Sequence, residues 1–385
     1  MDSSVNYQSG CSADRESSAK TQSLQQLNNS KQQPDEETLL RNLVRYFEDQ
    51  DTSEDGDSEL PSDFHRFLFT LSPALESEVF LLKRKKETLD IHQRFSANPS
   101  ESETQVLDRI SVARKEARKV AAYTCITEYI FAEPRIDRHF CYERILSDAQ
   151  NQGSPKKFVD VGCCVGSDIR KLIYDGFPAH VGESAHGLSA VTGLDIERRQ
   201  YSNPLLQRHL IDFFGAEFFS IGLAMYNQSS ENIPVRFVEA NLLDPNFTTR
   251  HDNLRGQFDY VHSANVVHLF DYEGQMTFLR NLAFLAKPGG LLWGRQVGEA
   301  EDSPTRSLRI EGKGDRFTPN EFRQMWVDAT CSQVAGWESR LVKYDELRLA
   351  QDYKKYSLEW VMNAPEQICV NSQRMTDLET GKAGT

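Results

Sequence analysis

The segment Phe158-Val159-Asp160-Val161-Gly162-Cys163-Cys164-Val165-Gly166-Ser167-Asp168 constrains this chain more than any other stretch. It reads as a short buried strand, a turn on two glycines and the start of a helix. The apolar run 158–161 follows Gly153, Ser154 and Pro155, a loop signal that suits the first strand of a sheet. Gly162 and Gly166 permit a tight turn and close approach of backbone to a ligand. From Asp168 onward, Ile169, Leu172 and Ile173 recur at helical spacing until Gly176 ends the run.

Charge narrows what such a turn can hold. A dinucleotide loop has the pattern G-x-G-x-x-G and rests a pyrophosphate on helix amides. Here the spacing is G-x-x-x-G, and Asp160 and Asp168 stand at the two ends of the turn. Two carboxylates repel a pyrophosphate and attract a cation. S-adenosylmethionine carries a sulfonium and an ammonium and no phosphate, so it fits the charge pattern. Alone, the loop reads more readily as an ordinary strand-to-helix turn, and the strands that follow decide.

Ala190 to Ile196 is a second apolar strand ending on a carboxylate, Asp195, 35 residues after Asp160. An acidic side chain there accepts both hydroxyls of an adenosine ribose; Ile196 lies beside it. The excess length, 180–188, is rich in Gly, Ser and His and reads as an insertion. After a helix-like stretch at 204–227, the strand 235–242 ends on Asn241 and Leu242. These residues are placed to bond the adenine amino group and cover the ring. A fourth strand runs from Phe258 through His262 and Ser263 to Val267 and on to His268. Polar groups at a strand's carboxyl end sit where open α/β sheets bind ligands, which makes Ser263 a further candidate contact. A helix over 275–286 stops at Lys287-Pro288-Gly289-Gly290, and Leu291 to Arg295 is a fifth strand. Thr318-Pro319-Asn320-Glu321 combines a Thr cap, a first-turn Pro and a capping-box Glu. The alternating segments 337–344 and 356–362 then close the sheet as antiparallel strands. Five strands alternating with helices, plus this pair, predict an α/β, doubly wound, mostly parallel seven-stranded sheet.

Composition excludes other classes. There are 57 acidic against 44 basic residues, a net charge of −13, which argues against nucleic acid or an anionic membrane as partner. No apolar run is long enough for a membrane span, and no signal peptide is seen. The seven cysteines include no C-x-x-C pair and no His/Cys cluster with zinc spacing, so a reducing, cytoplasmic setting without a metal is expected.

Residues 1–60 carry thirteen acidic against five basic residues and are expected to form a largely disordered tail with one short amphipathic helix at 36–47. A helical extension is expected over 61–150. Its basic cluster Lys83-Arg84-Lys85-Lys86 reads as a solvated helix face, since no aromatic residues interleave it. Residues 103–150 read as two or three helices. Tyr123, Ile126, Tyr129, Ile130 and Phe131 suit core packing better than pocket lining. The sheet domain is expected over 151–364, and a loose tail over 365–385.

Val159 to Gly166, Leu194-Asp195-Ile196 and Lys287 to Gly290 resemble three motifs of the class I S-adenosylmethionine-dependent methyltransferases, a likeness spanning roughly 156–364. More narrowly, the stretches 141–168, 195–197 and 265–275, with Gly294-Arg295, resemble fungal methyltransferases of meroterpenoid and related secondary-metabolite pathways, several of which esterify a carboxylic acid. The resemblance implies a Rossmann-like methyltransferase fold and cofactor contacts from Asp160, Gly162, Gly166, Asp168, Asp195, Ile196, Asn241, Leu242 and Ser263. It also implies a small-molecule acceptor and a possible homodimer. Cys164 replaces the usual middle glycine of the first motif, and Asn241 the usual acid of the third.

Methyl transfer from a sulfonium is an in-line displacement that needs an oriented, desolvated nucleophile. A carboxylic acid is already ionised at neutral pH and needs no base. A phenol benefits from one, with His268 or His262 as candidates. The competing readings are a protein or nucleic-acid methyltransferase, a non-catalytic binding protein on the same fold, and, disfavoured by glycine spacing, a nicotinamide-linked dehydrogenase.

Overall fold

A computed structural model describes residues 89–366 except 97, 99, 122, 128, 152–154, 182–187, 196–214, 230–232, 302–315 and 344–355. All of these fall in the second of two compact units, Arg84–Thr385. The acidic tail, the helix expected at 36–47, the basic cluster at 83–86, Ile196 and nearly all of the tail 365–385 lie outside the described residues.

Seven strands form the main sheet: β1 (Phe158–Val161), β2 (Val191–Asp195), β3 (Arg236–Glu239), β4 (Phe258–Ala264), β5 (Ala286–Gly298), β6 (Glu338–Lys343) and β7 (Tyr356–Asn363). Their spatial order is β3-β2-β1-β4-β5-β7-β6. Strands β1 to β5 are parallel, and β7 runs antiparallel to both β5 and β6. The expected doubly wound sheet with its closing antiparallel pair is therefore present. Strand order reverses between β1 and β4, which places a ligand crevice outside the carboxyl ends of those strands.

The central strands are buried on both faces, as their continuous apolar runs require. Alternate residues serve separate cores. Phe158 of β1, Tyr260 of β4 and Trp293 of β5 pack with Ile145, Ile169 and Leu172. Val159 and Val161 pack to the other side with Phe278, Phe322, Trp326 and Trp360. The main helices are α1 (Glu103–Val120), α2 (Tyr142–Asn151), α3 (Ser167–Tyr174), α4 (Gly215–Met225), α5 (Tyr272–Leu285) and α6 (Pro319–Thr330). Trp293, Trp326 and Trp360 are fully enclosed; truncating side chains of this size in a core removes about 3–5 kcal/mol.

Local chemistry explains the helix ends. Ser102 and Gln105 form a reciprocal capping box at the start of α1, and Thr318 and Glu321 do the same for α6, with Pro319 at the first position. The stretch 103–150 resolves into α1, one short turn of helix at Thr124–Thr127, two 3₁₀ turns and α2. Val106, Ile110, Ala113 and Ala117 are the buried stripe of α1, while Val120 and Ala121 stand only half-buried at its end. Lys287 to Gly290 is not a separate turn. The chain passes directly from α5 into β5, and the pairing shifts register between Phe258 and Tyr260 to absorb it, with Gly289 at a φ of 73°.

Residues 131–140 cross the sheet as a strap rather than a helix. Ser167 Oγ donates to the Phe131 carbonyl at 2.8 Å. Arg295 donates to the Arg135 carbonyl. His139 Nε2 donates to the Gly294 carbonyl at 2.8 Å, and the Phe140 amide donates to Glu359 at 3.3 Å.

Candidate functional site

The turn after β1 is built from left-handed residues. Gly162 has a φ of 81°, Cys164 of 51° and Gly166 of 77°. At Gly162 the backbone also lies against Val266, whose Cγ2 a side chain there would overlap. Its amide donates to Leu194 O at 2.8 Å, carrying the β1–β2 ladder one residue beyond β1. Cys164 bears the same backbone sign with a side chain attached, which stores about 1–3 kcal/mol of strain.

A buried guanidinium fixes the loop from behind. Arg170 Nη1 donates to the carbonyls of Val165 at 2.8 Å and Gly166 at 3.0 Å. Its Nε and Nη2 bond Gln228 Oε1, and the group lies 4.0 Å above the Tyr226 ring. Burial lowers its pKa to about 10, so it remains a cation at neutral pH. Nothing in the sequence separates Arg170 from Lys171 as the residue that does this, and sequence reasoning missed it.

The candidate residues fall on neighbouring strand ends. Asp195 at the end of β2 accepts from the Cys164 amide through Oδ2 at 3.0 Å. Asn241, two residues past β3, accepts from the Leu243 amide at 2.8 Å; an amide oxygen has a second lone pair, so it can still accept from an adenine amino group. Leu242 is enclosed in the core. Ser263 Oγ donates to Val161 O at 3.1 Å, across the switch point. Asp160 Oδ1 accepts from His262 Nδ1 at 2.7 Å, with both side chains almost fully buried. Asp168 Oδ1 accepts from the amides of Arg135 at 2.6 Å and Ile136 at 3.0 Å, and so secures the strap to α3.

His262 is 1% exposed, and its ring lies 4.4 Å from that of Trp293. Enclosed there, it is out of reach of an acceptor and is removed as a candidate base. His268 is half-buried, on the 3₁₀ turn Val267–Leu269 just beyond β4. Burial pushes the Cys163 and Cys164 thiols well above their ordinary range, so both stay neutral. The donor set fits an adenosine with a cationic arm: carboxylates end β1 and β2, an amide follows β3, and the Arg170 charge is bound to carbonyls on the buried side. An anionic pyrophosphate would meet Asp160, Asp168 and Asp195 instead. Among the described residues, no cluster of side chains could hold a metal ion, and no helix is long and apolar enough to cross a membrane.

The chain is 26% identical over 250 residues to the O-methyltransferase phiE of a fungal species, covering 64% of this chain and 72% of that protein. It is 26% identical over 221 residues to the Asnovolin E/Chermesin D methyltransferase nvfJ of Aspergillus novofumigatus, covering 57% and 67%. The methyltransferase prhM of Penicillium brasilianum matches at 26% over 190 residues, covering 49% and 57%. The chain thus spans 57–72% of the length of these relatives. No family model matches it. Among solved structures, the N-methyltransferase NodS from Bradyrhizobium japonicum in complex with S-adenosyl-l-homocysteine is similar at 14% identity and a TM-score of 0.38, covering 66% of this chain and 98% of that one. The expected resemblance to fungal secondary-metabolite methyltransferases is met by the sequence relatives.

Proposed function

We propose that this chain is an S-adenosylmethionine-dependent methyltransferase acting on a small molecule, and that it forms a carboxyl methyl ester in secondary-metabolite biosynthesis. The observation that carries this is the row of Asp160, Asp195 and Asn241 across three adjacent strand ends, beside a loop whose amide is already bonded to Asp195. The similarity to fungal methyltransferases supports it.

On this reading, S-adenosylmethionine supplies a methyl group made electrophilic by the sulfonium. Asp195 holds the ribose diol, Asn241 the adenine, and Asp160, Ser263 and the 162–166 loop the amino-acid arm; the Leu242 side chain is committed to the core. Asp168 adds negative charge at the loop's end. The chain's own task is to orient and dry the acceptor oxygen. A carboxylate acceptor arrives ionised. A phenol acceptor would lose its proton to His268, on the turn after β4. We assign 151–364 as the catalytic domain, 61–150 as the helical extension before it in the sequence, and the termini 1–60 and 365–385 as tails. A cytoplasmic homodimer without nucleic-acid or membrane partners is part of the same reading.

The test uses purified protein, methyl-labelled S-adenosylmethionine and an organic-acid extract of the source organism. Label in the organic fraction that mild base releases as methanol supports the ester. Base-stable label moves the acceptor to a phenol or amine. Absence of cofactor binding by calorimetry would sink the enzyme reading and leave a binding protein on a methyltransferase-like fold.

A further inference from the structure

Asp160 and His262 are 102 positions apart in the chain, yet they face each other on adjacent strands at the switch point. His262 Nδ1 lies 2.7 Å from Asp160 Oδ1, and an ionised carboxylate only accepts, so the proton sits on Nδ1. The far nitrogen, Nε2, is enclosed with no hydrogen-bond partner among the described residues. The imidazole therefore spends its single polar contact on Asp160. The Asp160 side chain keeps 5% exposure, at the strand end that opens onto the glycine loop.

We propose that His262 is a positioning residue for cofactor binding: its Nδ1–H fixes the Asp160 carboxylate as an acceptor for the cationic amino-acid arm of the cofactor. This rests on the methyltransferase reading. Burial raises the Asp160 pKa, Asp168 on α3 raises it further, and His262 opposes both. The other titratable groups nearby are the neutral Cys163 and Cys164 thiols of the loop and His139 of the strap, close enough for its charge to act on His262. His139 is itself held well below its ordinary pKa by burial. Removing His262 leaves an enclosed carboxyl with no donor beside it. Such a group takes up a proton, and a neutral carboxyl no longer attracts an ammonium.

The experiment compares the wild type with His262→Leu, His262→Asn and Asp160→Asn, using calorimetric titration with S-adenosylmethionine and with 5′-methylthioadenosine, which lacks the charged arm. At about pH 7, His262→Leu should bind S-adenosylmethionine about ten- to a hundredfold more weakly than wild type. Its affinity for 5′-methylthioadenosine should be unchanged. The deficit should shrink as pH rises and Asp160 ionises. His262→Asn, which offers an amide N–H near the Nδ1 position, should restore most of the binding. Asp160→Asn should show the same selective loss with no recovery at high pH, and it stands in for His262→Leu if that variant fails to fold. Equal losses for both ligands, or no loss for either, overturn the proposal while wild-type binding leaves the enzyme reading intact. Failure of the wild type to bind S-adenosylmethionine overturns both.

Discussion

The Cys164 amide donates to Asp195 Oδ2 across 3.0 Å, so one charge-assisted hydrogen bond joins the loop after β1 to the end of β2. The same carboxylate is the proposed holder of the ribose. Asp195→Ala should therefore weaken S-adenosylmethionine and 5′-methylthioadenosine alike, by about ten- to a hundredfold in calorimetric Kd. A loss confined to S-adenosylmethionine would place Asp195 on the charged arm rather than the ribose.

Cys164 holds a left-handed backbone, φ 51°, that a glycine adopts without steric cost. Cys164→Gly relieves that strain but gives the unfolded chain more freedom. Strain of about 1–3 kcal/mol exceeds the entropic penalty of about 0.5–1 kcal/mol. Thermal melting should show a higher Tm, with cofactor affinity equal to or better than wild type. A lower Tm would mean that the side chain packs better than its backbone suggests.

Asp168 Oδ1 receives two backbone amides, from Arg135 and Ile136, which lie 33 and 32 positions earlier in the chain. Asp168→Ala leaves both donors to water and frees the strap from α3. Stability should fall by about 1–3 kcal/mol, and amide exchange should accelerate over 131–140 before it does so elsewhere. Uniform acceleration across the domain would show that the strap and sheet open as one unit.

His92 is fully enclosed, stacked 4.1 Å from Tyr226, and burial together with Arg109 and Arg170 lowers its pKa to about 3. Because the folded value lies below the unfolded one, the unfolded chain binds the extra proton, and stability falls as pH drops below about 6.5. At pH 5 this group alone removes about 2 kcal/mol. His139, also shifted downward by burial, acts in the same direction. His92→Phe keeps an aromatic ring against Tyr226 and should flatten the slope of Tm between pH 7 and pH 5. An unchanged slope would show that His92 does not set the acid sensitivity.

The strand ends were legible because their signals are local. Phe158 to Asp168 carries its strand, turn and helix start within eleven consecutive positions, and Asp195 ends a largely apolar strand. What was not legible is which partner each polar group would choose. Asp160 finds His262 across 102 positions, and Asp168 turns back 33 positions to the strap. Arg170 reads as one more charge on a helix face, yet it is fully buried behind the loop because Gln228 and Tyr226 come from a distant turn to enclose it. Pattern sets where an element lies. Long-range packing sets which side chain is left facing the ligand.

His268 sits on the turn Val267–Leu269, two residues after Asn265, whose φ of 58° swings the chain off the end of β4. On the proposed reading, this turn lies beyond the strand-end row assigned to the cofactor, and His268 serves the acceptor. His268→Ala should accordingly leave S-adenosylmethionine affinity within about twofold, since it removes none of the groups assigned to adenosine or to the charged arm. The effect on turnover discriminates the acceptor. With a carboxylic acid, already ionised near neutrality, kcat should fall modestly and keep its pH profile. With a phenol, loss of a base should lower kcat by about a hundredfold or more, and the remaining rate should climb with pH as the free phenolate grows. A collapse of cofactor affinity in this variant would show that the turn belongs to the cofactor side of the crevice.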